Sequence, residues 1–285
     1  MQLPLFYVDD VIRRALAEDL NYLDTTTDYM IPEDACDTAY FVAKANGVLC
    51  GMDIAMRVFE LLDPQLDATV YCRDGDRVQV GQRLAVFRGH TRALLKGERT
   101  ALNLLQHLSG IATATAEAVA LVAGTRAAVT DTRKTLPGLR AMQKYAVTVG
   151  GGKNHRYNLS DGAMLKDNHI DAAGGITAAV TALRGRLGHM VKLEVETRDL
   201  DEVKEALAAG ADIIMLDNMS CEQMREAVEY VNGRALLEAS GGINRDTIRA
   251  VAETGVDVIS LGALTHSVKA LDISMKMEKS ASANA

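Results

Sequence analysis

Between Thr132 and Asn168 the sequence gathers cations. Arg133, Lys134, Arg140, Lys144, Lys153, Arg156 and Lys166 stand with His155 against the acids Asp161 and Asp167. Arginine offers a planar fork that fits a carboxylate or phosphate, and lysine a compact point charge. Such a cluster reads as a receptor for a polyanion. Position separates its members: Arg133, Lys134, Arg156 and Lys166 each follow or end a short apolar run or a glycine loop, which suits ligand binding. Arg140 and Lys144 stand at helical spacing and are expected on the surface. Glu196 and Asp217 end two later apolar runs, where carboxylates can hold Mg2+ or the hydroxyls of a ribose. Pairing with the lysines is the structural alternative. Glu194 shares the two-residue phase of Glu196 but lies deeper in its run.

Two glycine loops come late, Ser240-Gly241-Gly242-Ile243 and Leu261-Gly262-Ala263-Leu264-Thr265. Glycine lets backbone N–H groups approach a phosphate closely, and a following helix start adds favourable dipole charge. As a pair they point to a phosphorylated sugar or nucleotide. The stretch from Asp74 to Leu84 has the turn rhythm of a swinging-arm domain, yet no lysine occupies a hairpin tip, so it is read as structural. His90 and His107 are read as packing or surface residues.

The elements that must position these groups are legible as alternation. Apolar runs at Ala127–Asp131, Ala163–Lys166, Val191–Glu196, Asp212–Asp217, Ala235–Ser240 and Val256–Gly262 alternate with helical patterns such as Leu200–Ala209, Ser220–Val231 and Asn244–Thr254. Ser220 and Gln223 have capping-box spacing. Nearly continuous apolar strands in βαβ repetition make a buried parallel sheet. Polar residues at successive strand ends favour an α/β barrel over a doubly wound sheet, which also collects ligands at strand carboxyl ends. Six strands make that barrel incomplete.

The first hundred residues differ. An amphipathic segment (Val8 to Leu20) precedes short strand candidates at Asp37–Ala43, Ala68–Cys72 and Arg83–Phe87. A long helical pattern then begins near Glu98 and carries Leu102, Leu105, Leu108 and Ile111, with a break expected at Ser109-Gly110. Arg99 at that helix start would sit poorly against the helix dipole.

Composition narrows the class. With 31 Lys+Arg against 38 Asp+Glu the net charge is −7, which argues against a protein that coats nucleic acid. A hydrophobic share of 48% excludes a disordered chain. Cys36, Cys50, Cys72 and Cys221 form no C-x-x-C pair, so neither a zinc site nor a disulfide framework is expected. Met1 to Asp10 lacks the pattern of a signal peptide, and no apolar stretch approaches the ~20 residues needed to span a bilayer. A soluble, cytoplasmic protein is expected.

The combination of motifs resembles the quinolinate phosphoribosyltransferase family. It runs in order from Glu98-Arg-Thr-Ala-Leu-Asn-Leu-Leu-Gln-His-Leu-Ser-Gly through Asp131-Thr-Arg-Lys-Thr-Leu-Pro-Gly-Leu-Arg, Lys144-Tyr-Ala-Val and Gly150-Gly-Gly-Lys-Asn-His-Arg. Lys166-Asp-Asn-His, Glu194-Val-Glu, Met215-Leu-Asp-Asn, Ser240-Gly-Gly-Ile and Gly262-Ala-Leu-Thr-His-Ser complete it. The resemblance implies an N-terminal α/β open sandwich over 1–112, an incomplete TIM-like barrel over 113–266 and a segment, 267–285, that returns to the first domain. It implies a homodimer in which each sandwich covers the partner's barrel mouth. The implied reaction joins quinolinate to phosphoribosyl pyrophosphate with Mg2+, giving nicotinate mononucleotide, pyrophosphate and CO2, a step of NAD biosynthesis.

By the same resemblance, Arg133, His155, Arg156 and Lys166 would grip the two carboxylates of quinolinate, and Arg99 would reach in from the partner. Lys134, with Thr132 beside it, would hold the pyrophosphate-bearing substrate. Glu196 and Asp217 would hold ribose hydroxyls and Mg2+. Ser240, Gly241 and Gly242, with Gly262, Ala263 and Leu264, would take the 5′-phosphate. Catalysis would fall on Lys134, Lys166, Glu196 and Asp217. Two other readings stay open: an aldolase-type barrel with Lys166 as a Schiff-base lysine, and a non-catalytic relative that binds a nucleotide or oxyanion.

Overall fold

The computed structural model describes residues 3–278. Met1, Gln2 and residues 279–285, the end of the expected returning segment, lie outside the described residues. In chain order the elements begin with α1 (Leu5–Asp19), α2 (Thr25–Met30), β1 (Cys36–Ala43), β2 (Gly47–Val48), α3 (Met52–Leu62), β3 (Asp67–Val70), β4 (Arg77–Val78), β5 (Arg83–His90) and α4 (Thr91–Leu121). Then come β6 (Ala128–Thr130), α5 (Arg140–Val149), β7 (Ala163–Leu165), α6 (Asp167–Ala173), α7 (Ile176–Arg184), β8 (Leu193–Thr197) and α8 (Leu200–Ala209). The rest are β9 (Ile213–Asp217), α9 (Cys221–Val231), β10 (Leu236–Ser240), α10 (Ile248–Ala252), β11 (Val258–Ser260), α11 (Ala263–His266) and β12 (Ile273–Met277).

The chain divides into two compact units. Among the described residues the first takes 3–114, 136–150 and 268–278, and the second Thr115–Thr135 and Gly151–Ser267. The first unit is built on an antiparallel sheet of order β12-β1-β5-β3. Its core is aromatic: Phe41, Phe59 and Phe87 are buried with ring centroids 4.9 to 6.1 Å apart. Asp74 accepts the Gly51 and Met52 N–H groups and so caps the start of α3, while its other oxygen takes the Tyr145 hydroxyl. The Asp74 turn is therefore structural.

Three expectations fail here. Helix α4 starts at Thr91 and passes unbroken through Ser109-Gly110. Ser109 Oγ is bound to the backbone of Cys50, and a Cβ at Gly110 would lie 2.4 Å from the Lys269 carbonyl, so the pair serves close packing rather than a break. Arg99 consequently lies about two turns inside the helix, beyond reach of the end dipole. Lys144 is fully buried and Arg140 half-buried, not surface residues. Segment 136–150 groups with the first unit. Its polar side chains explain that: Gln143 meets His107 and the Leu136 N–H, and Tyr145 meets Asp74.

The second unit holds a six-stranded parallel sheet of order β6-β11-β10-β9-β8-β7. From β7 to β11 the order follows the chain without reversal, and β6 then joins β11. A doubly wound sheet reverses direction at a switch point. This one does not, so the winding is that of an incomplete barrel. Ser220 and Gln223 form the anticipated capping box at the start of α9.

Candidate active site

Register in the parallel sheet decides which side chains share a face. Glu196, Met215 and Glu238 form one row across β8, β9 and β10, and Asp217 with Ser240 forms the next row towards the strand ends. Because side chains alternate along a strand, all five point to the same side. There they line a cavity of about 660 Å³ together with Thr132, Arg133, Lys134, His155, Arg156 and Lys166. Gly241, Gly242 and Asn218 complete its rim, with Met164 and Ser260. Cations, carboxylates and a glycine loop thus converge from separate loops and strand ends, as sequence position indicated.

The cations are arranged to repel. Arg156 donates to the Gly162 carbonyl at 2.7 Å, and both burial and the neighbouring Arg133 charge hold its guanidinium below the ordinary value. Lys166 Nζ meets Glu196 Oε2 at 2.7 Å with its side chain 49% exposed. A Schiff-base lysine is activated by desolvation or a neighbouring cation. Lys166 has a carboxylate and solvent instead, which removes the aldolase reading. Lys134 is fixed through its backbone: its N–H bonds Thr132 Oγ1, and its carbonyl accepts the Thr265 hydroxyl.

His155 is held on both ring nitrogens. Nδ1 accepts the Arg156 backbone N–H at 2.8 Å, so the ring proton belongs on Nε2, which faces Glu194 at 3.0 Å and Glu238 at 3.6 Å. That arrangement orients the loop and occupies both ring nitrogens of His155. Asp131, fully buried, anchors the same loop by accepting from the Asn154 amide and the His155 N–H. The Oε1 atoms of Glu194 and Glu238 are buried and, among the described residues, have no hydrogen-bond partner. Burial, then the charge of Glu194, pushes the Glu238 carboxyl up to about 7. His155, Glu194 and Glu238 come close enough to ligate a metal, but Nε2 carries the proton and cannot also donate a lone pair.

Glu238 and Asn218 were missed in the sequence. Glu238 has the same two-residue phase relative to Ser240 as Glu194 has to Glu196, which was the available signal. Of the second glycine loop, Gly262, Ala263 and Leu264 do not line the cavity. Gly262 instead abuts the Lys134 side chain, with room for no Cβ (2.9 Å), and the Leu264 side chain is buried. Arg99 is exposed on α4 in the first unit and is not among the lining residues.

Comparison with known proteins agrees in both halves. Residues 24–109 match the family model described as quinolinate phosphoribosyl transferase, N-terminal domain, and residues 111–276 match the corresponding C-terminal domain. A Bacillus subtilis protein described as a probable nicotinate-nucleotide pyrophosphorylase (carboxylating) is 46% identical, covering 90% of this chain and 89% of its own. A nicotinate-nucleotide pyrophosphorylase (carboxylating) from Mycobacterium leprae is 45% identical over 94% of this chain and 96% of its own. The crystal structure of NadC from Streptococcus pyogenes superposes with a TM-score of 0.94 at 45% identity, covering 97% of this chain and 98% of that one.

Proposed function

The chain belongs to the quinolinate phosphoribosyltransferase family, and from that membership we propose that it joins quinolinate to phosphoribosyl pyrophosphate with loss of CO2. The products are nicotinate mononucleotide and pyrophosphate, a de novo step towards NAD. One observation carries the reading: the arginine pair, Lys134 and Lys166, the carboxylates Glu196 and Asp217, and the Ser240–Gly242 loop share a single cavity. A non-catalytic binder of nucleotides has no need for both a dicarboxylate grip and a carboxylate pair.

The chemistry follows from the charges. Arg133, Arg156 and Lys166 fix the two carboxylates of quinolinate and aim the ring nitrogen at the anomeric carbon, converting a bimolecular attack into an oriented one. The bond from that carbon to pyrophosphate breaks as the bond to nitrogen forms. Positive charge developing on the sugar is stabilised by Asp217 and Glu196, and Lys134 takes up charge on the leaving pyrophosphate. The pyridinium so formed is an electron sink. The bond to the adjacent carboxylate then breaks, CO2 departs, and a proton adds at the carbon left behind. Gly241 and Gly242, at φ 90° and 61°, offer backbone N–H groups to the 5′-phosphate.

The donor set fits Mg2+. Glu196 spends Oε2 on Lys166 and Asp217 spends Oδ2 on Asn218, leaving each a second oxygen, and one or two carboxylates plus substrate phosphates are the usual holding of this ion. Bound there, Mg2+ would neutralise charge on the pyrophosphate. The reading extends to a cytoplasmic homodimer in which Arg99 completes the partner's site. Appearance of nicotinate mononucleotide from quinolinate and phosphoribosyl pyrophosphate tests the activity directly; purified protein that makes none with Mg2+ present refutes it.

A further inference from the structure

Asn218 follows the strand-ending Asp217 with φ 55°, one of two non-glycine residues at positive φ among those described. Asparagine tolerates that region better than most residues, so the backbone alone would explain an Asn there. The side chain, however, is engaged. Its Nδ2 donates to Asp217 Oδ2 at 2.8 Å, and its backbone N–H donates to the Ser240 carbonyl at 2.9 Å. A Cβ built on Gly241 would lie 2.3 Å from Asn218 Oδ1 and 2.5 Å from Cγ. The amide thus lies against the glycine loop with no space between them, and it borders the cavity.

Building on the function proposed above, we infer that Asn218 is a positioning residue that locks the Asp217 carboxylate to the Ser240–Gly242 loop and thereby sets the affinity for the phosphoribosyl donor. The amide satisfies one Asp217 oxygen and holds the carboxylate's rotation, so the other oxygen is presented to the donor in one orientation. The backbone bond to Ser240 fixes the same residue to the loop that faces the 5′-phosphate. Carboxylate and phosphate subsite therefore move as one piece. The quinolinate grip stands on other elements, the loops after β6 and before β7 and the end of β7, so the effect on binding belongs to one substrate only.

Asn218→Gly separates side chain from backbone, because glycine adopts the left-handed region freely. Asn218→Asp keeps the size but turns a donor into an acceptor facing Asp217. In steady-state assays with each substrate varied, Asn218→Gly is expected to lower kcat/KM for phosphoribosyl pyrophosphate about tenfold or more, the scale of a lost hydrogen bond to a charged group. The KM for quinolinate should stay within about twofold and the melting temperature should hold. Asn218→Asp should lose more than Asn218→Gly. Calorimetric titration of both variants with phosphoribosyl pyrophosphate alone should show the same ranking without turnover. Wild-type kinetics from the glycine variant, or an equal rise in the KM of both substrates, overturns the inference. So does an aspartate variant as active as the wild type. Failure of the wild type to form product would instead overturn the proposed function, so the two failures are distinct.

Discussion

Arg133 and Arg156 face one cavity closely enough for one charge to disfavour the other, and among the described residues the Arg156 guanidinium donates to the Gly162 carbonyl and Met164 Sδ rather than to a carboxylate. A ligand with two carboxylates relieves that repulsion more fully than one with a single carboxylate. Quinolinate should therefore be used and nicotinate rejected, since a missing charged partner costs roughly 1.5–3 kcal/mol, ten- to about a hundredfold in selectivity. Competition assays with both acids check this, and comparable turnover of nicotinate would count against the cation grip. Below the cations, Glu238 gives a second prediction. Its carboxyl titrates near 7 in the folded protein against an ordinary 4.5, because burial and Glu194, with a smaller push from Asp131, outweigh the attraction of His155. The folded state holds this proton more tightly than the unfolded chain. The resulting stability is complete below the ordinary value and vanishes as pH rises through about 7. Glu238→Gln stays neutral at every pH. Melting curves from about pH 5 to about pH 8 should show the variant gaining on the wild type as pH rises. A constant gap would mean that Glu238 does not titrate there.

Helix α4 illustrates how an element can hide its own constraints. Gly110→Ala removes the entropic penalty of a helical glycine, worth about 0.5–1 kcal/mol, but drives a Cβ to 2.4 Å from the Lys269 carbonyl. Overpacking against backbone costs about 1–3 kcal/mol, so the substitution should destabilise. A denaturant midpoint raised by Gly110→Ala would show that the 268–270 strand of chain yields easily. The same glycine suggested a helix break in the sequence because propensity sees only the local chain, whereas Lys269 is far away in it. Strands β6 to β11 were legible for the opposite reason: their apolar runs and terminal Asp217 or Ser240 are local signals. Lys144 defeated periodicity, since helical spacing says nothing about which face is buried or what lies opposite. His155 was found, but the two acids that face its Nε2, Glu194 and Glu238, stand forty-odd positions apart and come together only once β8 and β10 flank β9.

For the whole molecule the proposed shared site makes a quantitative demand. Arg99→Ala and Lys166→Ala should each be nearly inactive alone. After dissociation and random reassortment about half the dimers of a symmetric pair are mixed, each with one intact site of two, so activity should return to about a quarter of wild type. Mixed dimers that form without regaining activity would put Arg99 in its own subunit's site or in none. A further consequence lies in the pairing of β12 with β1, Ala39 to Ala43 against Met277 to Ile273. The strand that closes the first sheet follows the whole second unit in the chain and is made after it. While the entire second unit is being synthesised, at about 5–20 residues per second, one side of β1 has no neighbour for on the order of ten seconds or more. Bare strand edges recruit foreign strands, so the newborn chain stays open to misassembly at β1 until β12 emerges. A chain interrupted between β11 and β12 carries a complete second-unit sheet and an open first sheet.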